Sequence, residues 1–584
     1  MLRKRHIDAV LSKISIGNRY IYYVFHTGIA FAQGLQRQMR AKGEIRNAIE
    51  RKTRGYRMRF RYLNMFMGLA IGASAVLAGP LAAEAQEKKT LRAAMHAGLR
   101  ILDPFIGTTY IVRDHGYMIY DTLFSVDEKL NVKPQMVDSY EVSTDQLTYT
   151  FKLRDGLKFH DGAPVTTDDV IASLERWSKV DGMGGKLFGF IKELKAVNAT
   201  TFQMILKEPY GLVLTSLGKP SAIVPFILPK RIALTPPTQQ LTEYVGSGPF
   251  RFVTEEYRPG VKAVYEKNLD YRPRREPANG MSGGKVVKLD RVEWLIIGDA
   301  QTTANALIKG EVDMWERPSY DLLPQVKKDK NIVITNRNPL GEGSLMRLNW
   351  LQPPLDNVKV RQAILHAVYQ EDYLAAQVGD PEYYRLCGSM YGCGTPLESD
   401  VGAVQLKKPD IAKAKKLLAE SGYKGETITI MQPMDVGIIT PLAPVTVQAL
   451  RAIGMKVDLQ AMDWSTMMLR RANKGPADQG GWHIFHTAQA VPDQMNPVAN
   501  NYLRGDGAFF GWPNDPEIEK LRDAFSREVD PVKQKELAVA VQKRAYETVP
   551  YIPLGLYIQP PAHHKNITGF VIGPATVFWN VEKN

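Results

Sequence analysis

The feature that most constrains the fold of this chain is an alternation of strand-like and helix-like patterns, which continues through roughly 500 residues without a linker-like tract. Proline and glycine are scattered, and neither an internal repeat nor a low-complexity stretch interrupts the pattern. A chain of this length exceeds what one hydrophobic core usually supports. The sequence therefore predicts a mixed α/β fold in which helices cover the sheets and two compact lobes are joined by short crossovers.

Local patterns in the first half predict a hairpin followed by a helix. Tyr149–Leu153 alternates like a half-buried strand, and a turn at Asp155-Gly156 leads to a second short strand, Leu157–Phe159. Thr166–Asp169 offers N-cap chemistry and early negative charge, and apolar residues follow at helical spacing. We therefore expect a helix to begin there.

The second half contains two predicted amphipathic helices. Asp356 is expected to cap a helix that reaches Val368, and Pro409 to open another that ends at Gly422. Further elements are predicted as strands at 427–431 and 455–459 and as a largely helical stretch over 518–546.

The N-terminal region has the layout of a secretory signal. Arginines precede an apolar stretch, Met65–Leu81, which ends in small residues. Ala83-Glu84-Ala85 has the small-x-small form that signal peptidase accepts, so we predict a signal peptide over 58–85 and a mature start at Gln86. A retained anchor is disfavoured because the apolar stretch is shorter than the ~20 residues that a membrane span needs. We expect a soluble periplasmic protein without a lipid anchor.

The formal charge of +14 is concentrated in the leader. Residues 1–85 hold 15 of the 75 basic and 4 of the 61 acidic residues, which leaves 60 basic and 57 acidic residues in the remainder. The nearly neutral body gives no reason to expect a nucleic-acid partner. Residues 1–57 are predicted to be a misassigned upstream extension, with Met58 as the expected start; an alternative makes Arg37–Arg61 a nucleic-acid or membrane-surface arm.

Two cysteines, Cys387 and Cys393, lie close together in a glycine-rich stretch. In an exported protein this arrangement favours one disulfide. A metal site would need more ligands than these two thiols, and the alternative is a pair of free thiols.

Five segments resemble the extracellular solute-binding proteins of the peptide/nickel type, family 5. The longest is YTFKLRDGLKFHDGAPVTTDDVIASLERW, at Tyr149–Trp177. The others follow in order along the chain: GSGPFRF at 246–252, PLDNVKVRQAILHAV at 354–368, KPDIAKAKKLLAESGY at 408–423 and MDWSTMMLRRA at 462–472.

This resemblance implies a bilobal periplasmic-binding-protein fold of the large type, with a ligand cleft between the lobes. Lobe I would comprise 86–315 plus 553–584, and lobe II 316–552. The implied function is the substrate-binding component of an ABC importer, which captures a peptide or a peptide-like polar solute and delivers it to an inner-membrane permease with its ATPase subunits. We expect a monomer that performs no chemistry and holds no cofactor or metal.

The charged groups that grip zwitterionic dipeptides in the resembled family are missing here. Alignment on the Pro492-Asp493 pair places Ala488 where those proteins carry the aspartate that binds the ligand's ammonium group. The stretch Gly425–Leu450, where an arginine would bind the terminal carboxylate, contains no Arg or Lys. We therefore expect a longer or modified peptide, an opine-like or sugar-derived conjugate, or another polar metabolite. Asp493 is either a displaced anchor for an amine or a structural turn residue.

The resemblance and the position of these residues define a set of expected ligand-binding residues. It consists of Thr108, Thr109, Tyr110, Trp464, Trp482, Ala488, Gln489 and Asp493. Each aromatic residue could instead pack in the core, although aromatic walls with a few polar groups are typical of small-ligand clefts.

Two groups of residues that suggest catalysis or metal binding have simpler interpretations. In the segment that contains His160 and Asp161, the acidic residues are expected to shape a turn and to stabilise a helix N-terminus. His483 and His486 have a spacing that would bring two imidazoles together on a helix, but the local sequence predicts a strand, in which they point to opposite faces.

Two other classes of function remain open at this point. An exported hydrolase is disfavoured because the sequence contains neither a G-x-S-x-G nor an H-E-x-x-H motif. A periplasmic interaction protein, such as the ligand-loaded adaptor of a chemoreceptor, is compatible with the same fold.

Overall fold

The computed structural model describes residues 89–584. The predicted upstream extension 1–57, the signal 58–85 and the cleavage site after Ala85 lie outside the described residues. Among the described residues, no helix combines the length and the apolar character that are needed to cross a membrane.

A first sheet of seven strands combines strands from the first half of the described chain with one strand near its C-terminus. Thr90–Ala94 lies near its centre and pairs in parallel with Arg291–Leu295 and with Met314–Trp315. The late strand Ala562–His564 lies antiparallel to Met314–Trp315. The order across the sheet is Phe250–Phe252, Lys262–Lys267, Arg291–Leu295, Thr90–Ala94, Met314–Trp315, Ala562–His564 and Ile332–Ile334.

A second sheet of six strands is built from the middle of the chain. Its order is Tyr384–Arg385, Tyr551–Tyr557, Glu342–Leu348, Ile484–Ala490, Thr427–Pro433 and Lys456–Met462. The chain passes from the first sheet to the second between Ile334 and Glu342, and it returns between Tyr557 and Ala562. The fold is the predicted mixed α/β, bilobal type; the boundaries 86–315, 316–552 and 553–584 stay predictions.

A four-stranded antiparallel sheet supports the segment that carries the longest family resemblance. Its order is Val137–Val142, Thr148–Leu153, Thr201–Leu206 and Ile191–Ala196. Phe151 of this sheet and Trp177 of the helix Thr167–Ser178 are fully buried in the same apolar core. Three two-stranded pairs complete the strands: Asp121–Thr122 with Phe226–Ile227, Phe124–Val126 with Val132–Pro134, and Ile567–Thr568 with Glu582–Lys583.

Helices cover the sheets, and short 3₁₀ turns connect many of the elements. The α-helices are Tyr110–Ile119, Thr167–Ser178, Gly182–Phe190, Val213–Leu217, Lys230–Ala233, Ala300–Ile308, Leu323–Val326, Val358–Ala367, Gln370–Gln377, Ile411–Glu420, Leu442–Ala452, Trp464–Arg470, Pro516–Arg527 and Pro531–Thr548. The 3₁₀ turns are Thr254–Glu256, Tyr320–Leu322, Pro381–Tyr383, Val404–Leu406, Ala477–Gln479, Val491–Asp493 and Asn501–Leu503.

Two local predictions need correction. Leu157–Phe159 forms no hairpin strand, because Phe159 N donates to Ala163 O across a tight turn at Gly162, whose φ of 87° suits glycine. The predicted cap Asp356 is replaced by Asn357, whose side chain accepts from Lys359 N at 2.9 Å. The other predicted strands and helices are confirmed to within a few residues.

The predicted disulfide between Cys387 and Cys393 is present. Its loop packs in a small apolar cluster with Val491 and Leu556. Leu556 belongs to the second sheet, and Val491 begins the 3₁₀ turn that ends at Asp493. The disulfide loop therefore lies directly against the segment that carries the predicted anchor.

Candidate functional site

Tyr110 and Asp493 meet although 383 residues separate them. Tyr110 begins a helix that follows the central strand of the first sheet, and Asp493 ends the turn after strand Ile484–Ala490 of the second sheet. The Tyr110 hydroxyl donates to Asp493 Oδ2 at 2.9 Å and accepts from Ala490 N at 2.5 Å. This contact joins the segments that emerge from the two sheets.

Asp493 is held by further contacts on the same oxygen. Ser221 Oγ donates to Asp493 Oδ2 at 3.0 Å, and Arg113 Nη1 donates to Ser221 Oγ at 2.8 Å. The Asp493 side chain is only 8% exposed, and its second oxygen, Oδ1, accepts no hydrogen bond from residues 89–584. A buried carboxylate oxygen without a donor is costly, so the site favours an additional donor at Oδ1.

Burial shifts the pKa values of both Asp493 and Tyr110. Burial raises the pKa of the Asp493 carboxyl above its usual value, and the positive charges of Lys219 and Arg113 offset part of that shift. Burial, followed by the negative charge of Asp493, also raises the pKa of Tyr110. The phenol therefore stays protonated and remains a hydrogen-bond donor to the carboxylate.

A second contact lies where the chain passes between the sheets. Arg317 Nη1 lies 2.9 Å from Glu342 Oε1, and the Tyr557 hydroxyl donates to Glu342 Oε2 at 2.9 Å. Arg317 follows the first-sheet strand Met314–Trp315, whereas Glu342 and Tyr557 belong to the second sheet. An ion pair thus complements the hydrogen bonds of Asp493 in connecting the two halves.

Sequence reasoning missed a cluster of the half-buried His96 with the buried Asp114 and Glu316. Ligand-type atoms of the three side chains lie within 4.8 Å of one another, and His96 Nδ1 is 2.7 Å from Glu316 Oε2. His96 and Glu316 follow neighbouring parallel strands, and this position in the sequence could have indicated their proximity.

This cluster is already neutralised by cationic side chains. Arg113 Nε donates to Asp114 Oδ1 at 2.8 Å, and Arg337 lies 3.9 Å from Glu316. Burial alone would raise the pKa of Glu316, but His96 and nearby arginines outweigh it and lower the pKa. A divalent cation at this position would lie beside guanidinium groups, so the donor set fits an internal ion-pair network better than a metal centre.

The remaining predicted ligand-binding residues lie in different environments. Thr108 and Thr109 are exposed directly before Tyr110. Ala488 is half-buried on the strand that leads to Asp493, and Gln489 donates to Gln494 Oε1 at 3.2 Å.

The two tryptophans of the predicted set differ in exposure. Trp464 is half-buried at the start of its helix. Trp482 is fully buried, and its ring packs against Phe485 and Trp512 at centroid distances of 4.9 and 5.8 Å. The structure thus brings Tyr110 and Asp493 together and places Trp482 in the core of the second lobe.

The two histidines considered as metal ligands, His483 and His486, have separate partners. His483 Nδ1 accepts from Thr429 N at 3.0 Å, and His486 Nε2 lies 2.7 Å from Thr446 Oγ1. Both rings are buried, and burial lowers the pKa of each below its usual value. They therefore serve as neutral hydrogen-bonding groups at the second sheet.

Comparison with known families and proteins gives consistent matches. The family model described as bacterial extracellular solute-binding proteins, family 5 Middle, matches residues 131–508. A probable peptide ABC transporter periplasmic-binding protein of Sinorhizobium fredii is 39% identical over 523 residues, which cover 88% of this chain and 98% of the relative. The glutathione-binding protein GsiB of Escherichia coli K12 is 27% identical, with 87% and 96% of the two chains covered.

Solved structures match the fold over nearly their whole length. The dipeptide binding protein from Pseudoalteromonas sp. SM9913 in complex with Met-Leu has a TM-score of 0.70 at 21% identity, covering 85% of this chain and 100% of the other. The binding protein AgaA from A. tumefacien R10 in complex with agropinic acid has a TM-score of 0.71 at 24% identity, covering 85% and 99%.

Proposed function

The chain belongs to the bacterial extracellular solute-binding proteins of family 5, and we propose that it captures a peptide-like solute with a free amine and delivers it to an ABC permease. The observation that carries this proposal is Asp493, whose buried Oδ1 accepts no hydrogen bond from residues 89–584. A protonated amine supplies both the donor and the positive charge that a buried carboxylate needs.

Asp493 compensates for the anchor that Ala488 cannot provide. Ala488 occupies the position at which the resembled peptide binders carry an aspartate, and a methyl group cannot pair with an ammonium group. Asp493 lies five residues later, on the same segment after the second-sheet strand. A displaced carboxylate would bind the same chemical group with a different ligand geometry. One relative is named as a probable peptide ABC transporter protein and another as a glutathione-binding protein, and unmodified peptides and glutathione carry a free amino group.

The contacts of Asp493 also suggest how binding is coupled to closure. The donors to its Oδ2, Tyr110 and Ser221, both come from the predicted lobe I, whereas Asp493 lies in the predicted lobe II. Closure of two lobes around a ligand is the usual motion of periplasmic binding proteins. An amine at Oδ1 would stabilise the ionised carboxylate and thereby the closed arrangement that a permease would recognise.

We further propose that the protein acts as a monomer in the periplasm after cleavage following Ala85. The partners would be the inner-membrane permease and its ATPase subunits. The chemoreceptor-adaptor role remains compatible with this proposal, because it needs the same closed form. A hydrolase is not favoured, because the matched family consists of solute-binding proteins.

The test begins with native mass spectrometry of the protein from a periplasmic extract of its host. The ligand-free protein is then titrated by calorimetry with di-, tri- and tetra-alanine and with their N-acetylated counterparts. We expect a co-purified ligand that contains a primary amine, and at least thirtyfold weaker binding of every acetylated peptide, because about 2 kcal/mol or more is lost when a buried charge pair loses one partner. Equal affinity for free and acetylated peptides would refute the amine anchor.

A further inference from the structure

A second contact between the predicted lobes lies on elements that carry neither Asp493 nor the crossovers between the sheets. The helix Pro516–Arg527 of the predicted lobe II meets the segment that follows the strand Thr201–Leu206 in the predicted lobe I. The last carbonyl groups of a helix have no partner within the helix. One of them, Ser526 O, accepts from Gly211 N at 2.9 Å. This backbone hydrogen bond therefore crosses from one predicted lobe to the other.

Two ion pairs reinforce the backbone contact. Arg527 Nε lies 3.1 Å from Glu208 Oε2, and its guanidinium lies 5.2 Å from the centre of the Phe190 ring. Lys186 pairs with Asp523, one turn earlier in the same helix. Each pair joins a residue of the predicted lobe I to a residue of the predicted lobe II, so these attractions act only while the lobes touch.

Gly211 allows the two main chains to approach closely. A Cβ atom at this position would lie 1.9 Å from Glu528 O, whereas carbon and oxygen atoms in contact are ordinarily at least about 3.3 Å apart. The carbonyl is held in place, because Gln534 Nε2 donates to Glu528 O at 2.6 Å. A methyl group at position 211 is therefore incompatible with this contact.

The helix Pro516–Arg527 is attached to the second sheet and should move with it. Its N-cap, Asp515, lies 3.0 Å from Arg544 Nε of the helix Pro531–Thr548. That second helix leads directly into the strand Tyr551–Tyr557 of the second sheet. A hinge motion that separates the lobes would thus carry Ser526 away from Gly211.

We propose that this contact is a latch, which holds part of the ligand-free population in the closed form and sets the affinity for every solute by the same factor. This inference rests on the part of the proposed function in which the lobes close around a solute. Because the latch joins lobe to lobe, its contribution does not depend on the chemistry of the ligand. The latch residues are Lys186, Glu208, Gly211, Asp523, Ser526 and Arg527.

The first test introduces Gly211→Ala, and small-angle X-ray scattering of the ligand-free protein measures the closed fraction. Gly189→Ala is the matched control, because Gly189 lies in the same predicted lobe, has no positive φ and has open space where a Cβ would stand. We expect the ratio of closed to open molecules to fall at least about tenfold in Gly211→Ala, because the methyl group overlaps Glu528 O only in the closed form. Gly189→Ala should leave the ratio unchanged.

A second pair of variants tests the ion pair without a steric change. Glu208→Gln should lower the closed-to-open ratio by up to about fivefold, the effect of one exposed ion pair. Glu420→Gln is its control, because Glu420 pairs with Lys359 at the same 3.1 Å, is similarly exposed (42% against 49%) and lies with its partner in one predicted lobe. If Gly211→Ala fails to fold, Glu208→Gln decides alone.

An unchanged closed fraction in the latch variants would overturn the latch. Calorimetry with free and N-acetylated alanine peptides adds a second criterion: Gly211→Ala should weaken every peptide that binds by the same factor, and a loss confined to free amines would also overturn it. Equal affinity of the unmodified protein for free and acetylated peptides would refute the amine anchor instead. The latch would still be tested in that case, because the closed fraction is measured without ligand.

Discussion

Two segments of this molecule use their buried aspartates in opposite ways. In the signature segment, Tyr149–Trp177, Asp169 accepts from Thr166 N at 2.8 Å and from Lys230 N at 2.7 Å, so that both oxygens are satisfied. In the anchor segment, Ile484–Asp493, Asp493 is equally buried at 8% exposure but leaves Oδ1 without a donor among residues 89–584.

The partners of the two aspartates also differ in sequence distance. Those of Asp169 are 3 and 61 residues away, whereas Tyr110 and Ser221 are 383 and 272 residues from Asp493. The signature segment, which resembles its family most strongly, thus stabilises the fold. The anchor segment, whose aspartate has an unsatisfied oxygen suited to a ligand, gives a much weaker signal in the sequence. Variants in the signature segment should change stability, and variants in the anchor segment should change affinity.

The largest effect is expected from Trp177→Ala. Trp177 is fully buried, its indole N–H donates to Ile223 O at 3.0 Å, and Gly184 packs against its ring. Removing such a side chain costs about 3–5 kcal/mol of unfolding free energy. Urea unfolding measures the loss, and calorimetry on the folded protein should give an unchanged ligand affinity.

The half-buried Trp464 provides the control for that experiment. Trp464→Ala should cost clearly less stability, because part of the ring already faces solvent. If Trp177→Ala cannot be purified folded, Trp177→Phe serves instead, with a smaller loss of the same sign. If a Trp177 variant lost ligand affinity at unchanged stability, the signature segment would belong to the ligand site. The proposed difference between the two segments would then be wrong.

The next effect is expected from Asp493→Asn. Removing the charge should weaken amine binding at least thirtyfold, which is about 2 kcal/mol, because the ammonium group loses its counter-ion in a buried site. The matched control is Asp169→Asn, which alters an equally buried aspartate and should lower stability without changing affinity. If the two variants have the same effect on affinity, Asp493 is only a turn residue.

The pH dependence of binding sharpens this test. Burial raises the pKa of Asp493 above its usual value, so the carboxyl takes up a proton at a higher pH than an ordinary aspartate does. Amine affinity should therefore fall as the pH is lowered through that raised pKa, because the protonated carboxyl has no charge for the ammonium group. Asp493→Asn should remove the pH dependence, and a wild-type profile that is flat would contradict the ion pair.

The disulfide links stability to the anchor segment. Gly392, within the loop between Cys387 and Cys393, lies directly against Val491, so that even a Cβ atom would collide with the Val491 side chain. Replacing both cysteines by serine should cost about 2 kcal/mol of stability. It should also speed ligand dissociation severalfold, measured by stopped flow, because the turn before Asp493 loses its support. Unchanged dissociation would limit the loop to a purely structural role.

The parts that could be predicted from the sequence are those in which the signal is local. The helix start at Thr167 and the strand that contains Tyr149 follow from capping chemistry and alternation within a few residues. The disulfide follows from the close spacing of two cysteines in a chain that the sequence predicts to be exported.

The other features depend on contacts that only the folded chain creates. The pairing of Tyr110 with Asp493 and the cluster of His96 with Glu316 join segments hundreds of residues apart. Trp482, expected near the ligand, is enclosed by Phe485 and Trp512, because the aromatic side chains of this lobe pack on one another. Burial of this kind has no local sequence signal.

The smallest expected effects come from two hydroxyl groups, one that bonds to the anchor segment and one within the signature segment. Tyr110→Phe removes the donor to Asp493 Oδ2 and the acceptor for Ala490 N, but it keeps the ring beneath Arg113, whose guanidinium lies 4.4 Å from the ring centroid. The loss of a hydrogen bond to a charged group amounts to about 1.5 kcal/mol. Ligand affinity should fall about tenfold, because the closed form becomes less populated.

Thr166→Ala is the counterpart in the signature segment. The Thr166 hydroxyl donates to Asp169 Oδ2 at 2.7 Å, and its removal from a helix N-cap costs about 1 kcal/mol of stability. The two substitutions cost similar amounts of free energy, so they are distinguished by the property that changes. Tyr110→Phe should change the ligand affinity measured by calorimetry, whereas Thr166→Ala should change the midpoint of urea unfolding. If Tyr110→Phe lowers the urea midpoint and leaves the affinity unchanged, its bond to Asp493 belongs to the fold, and the two segments no longer differ in kind.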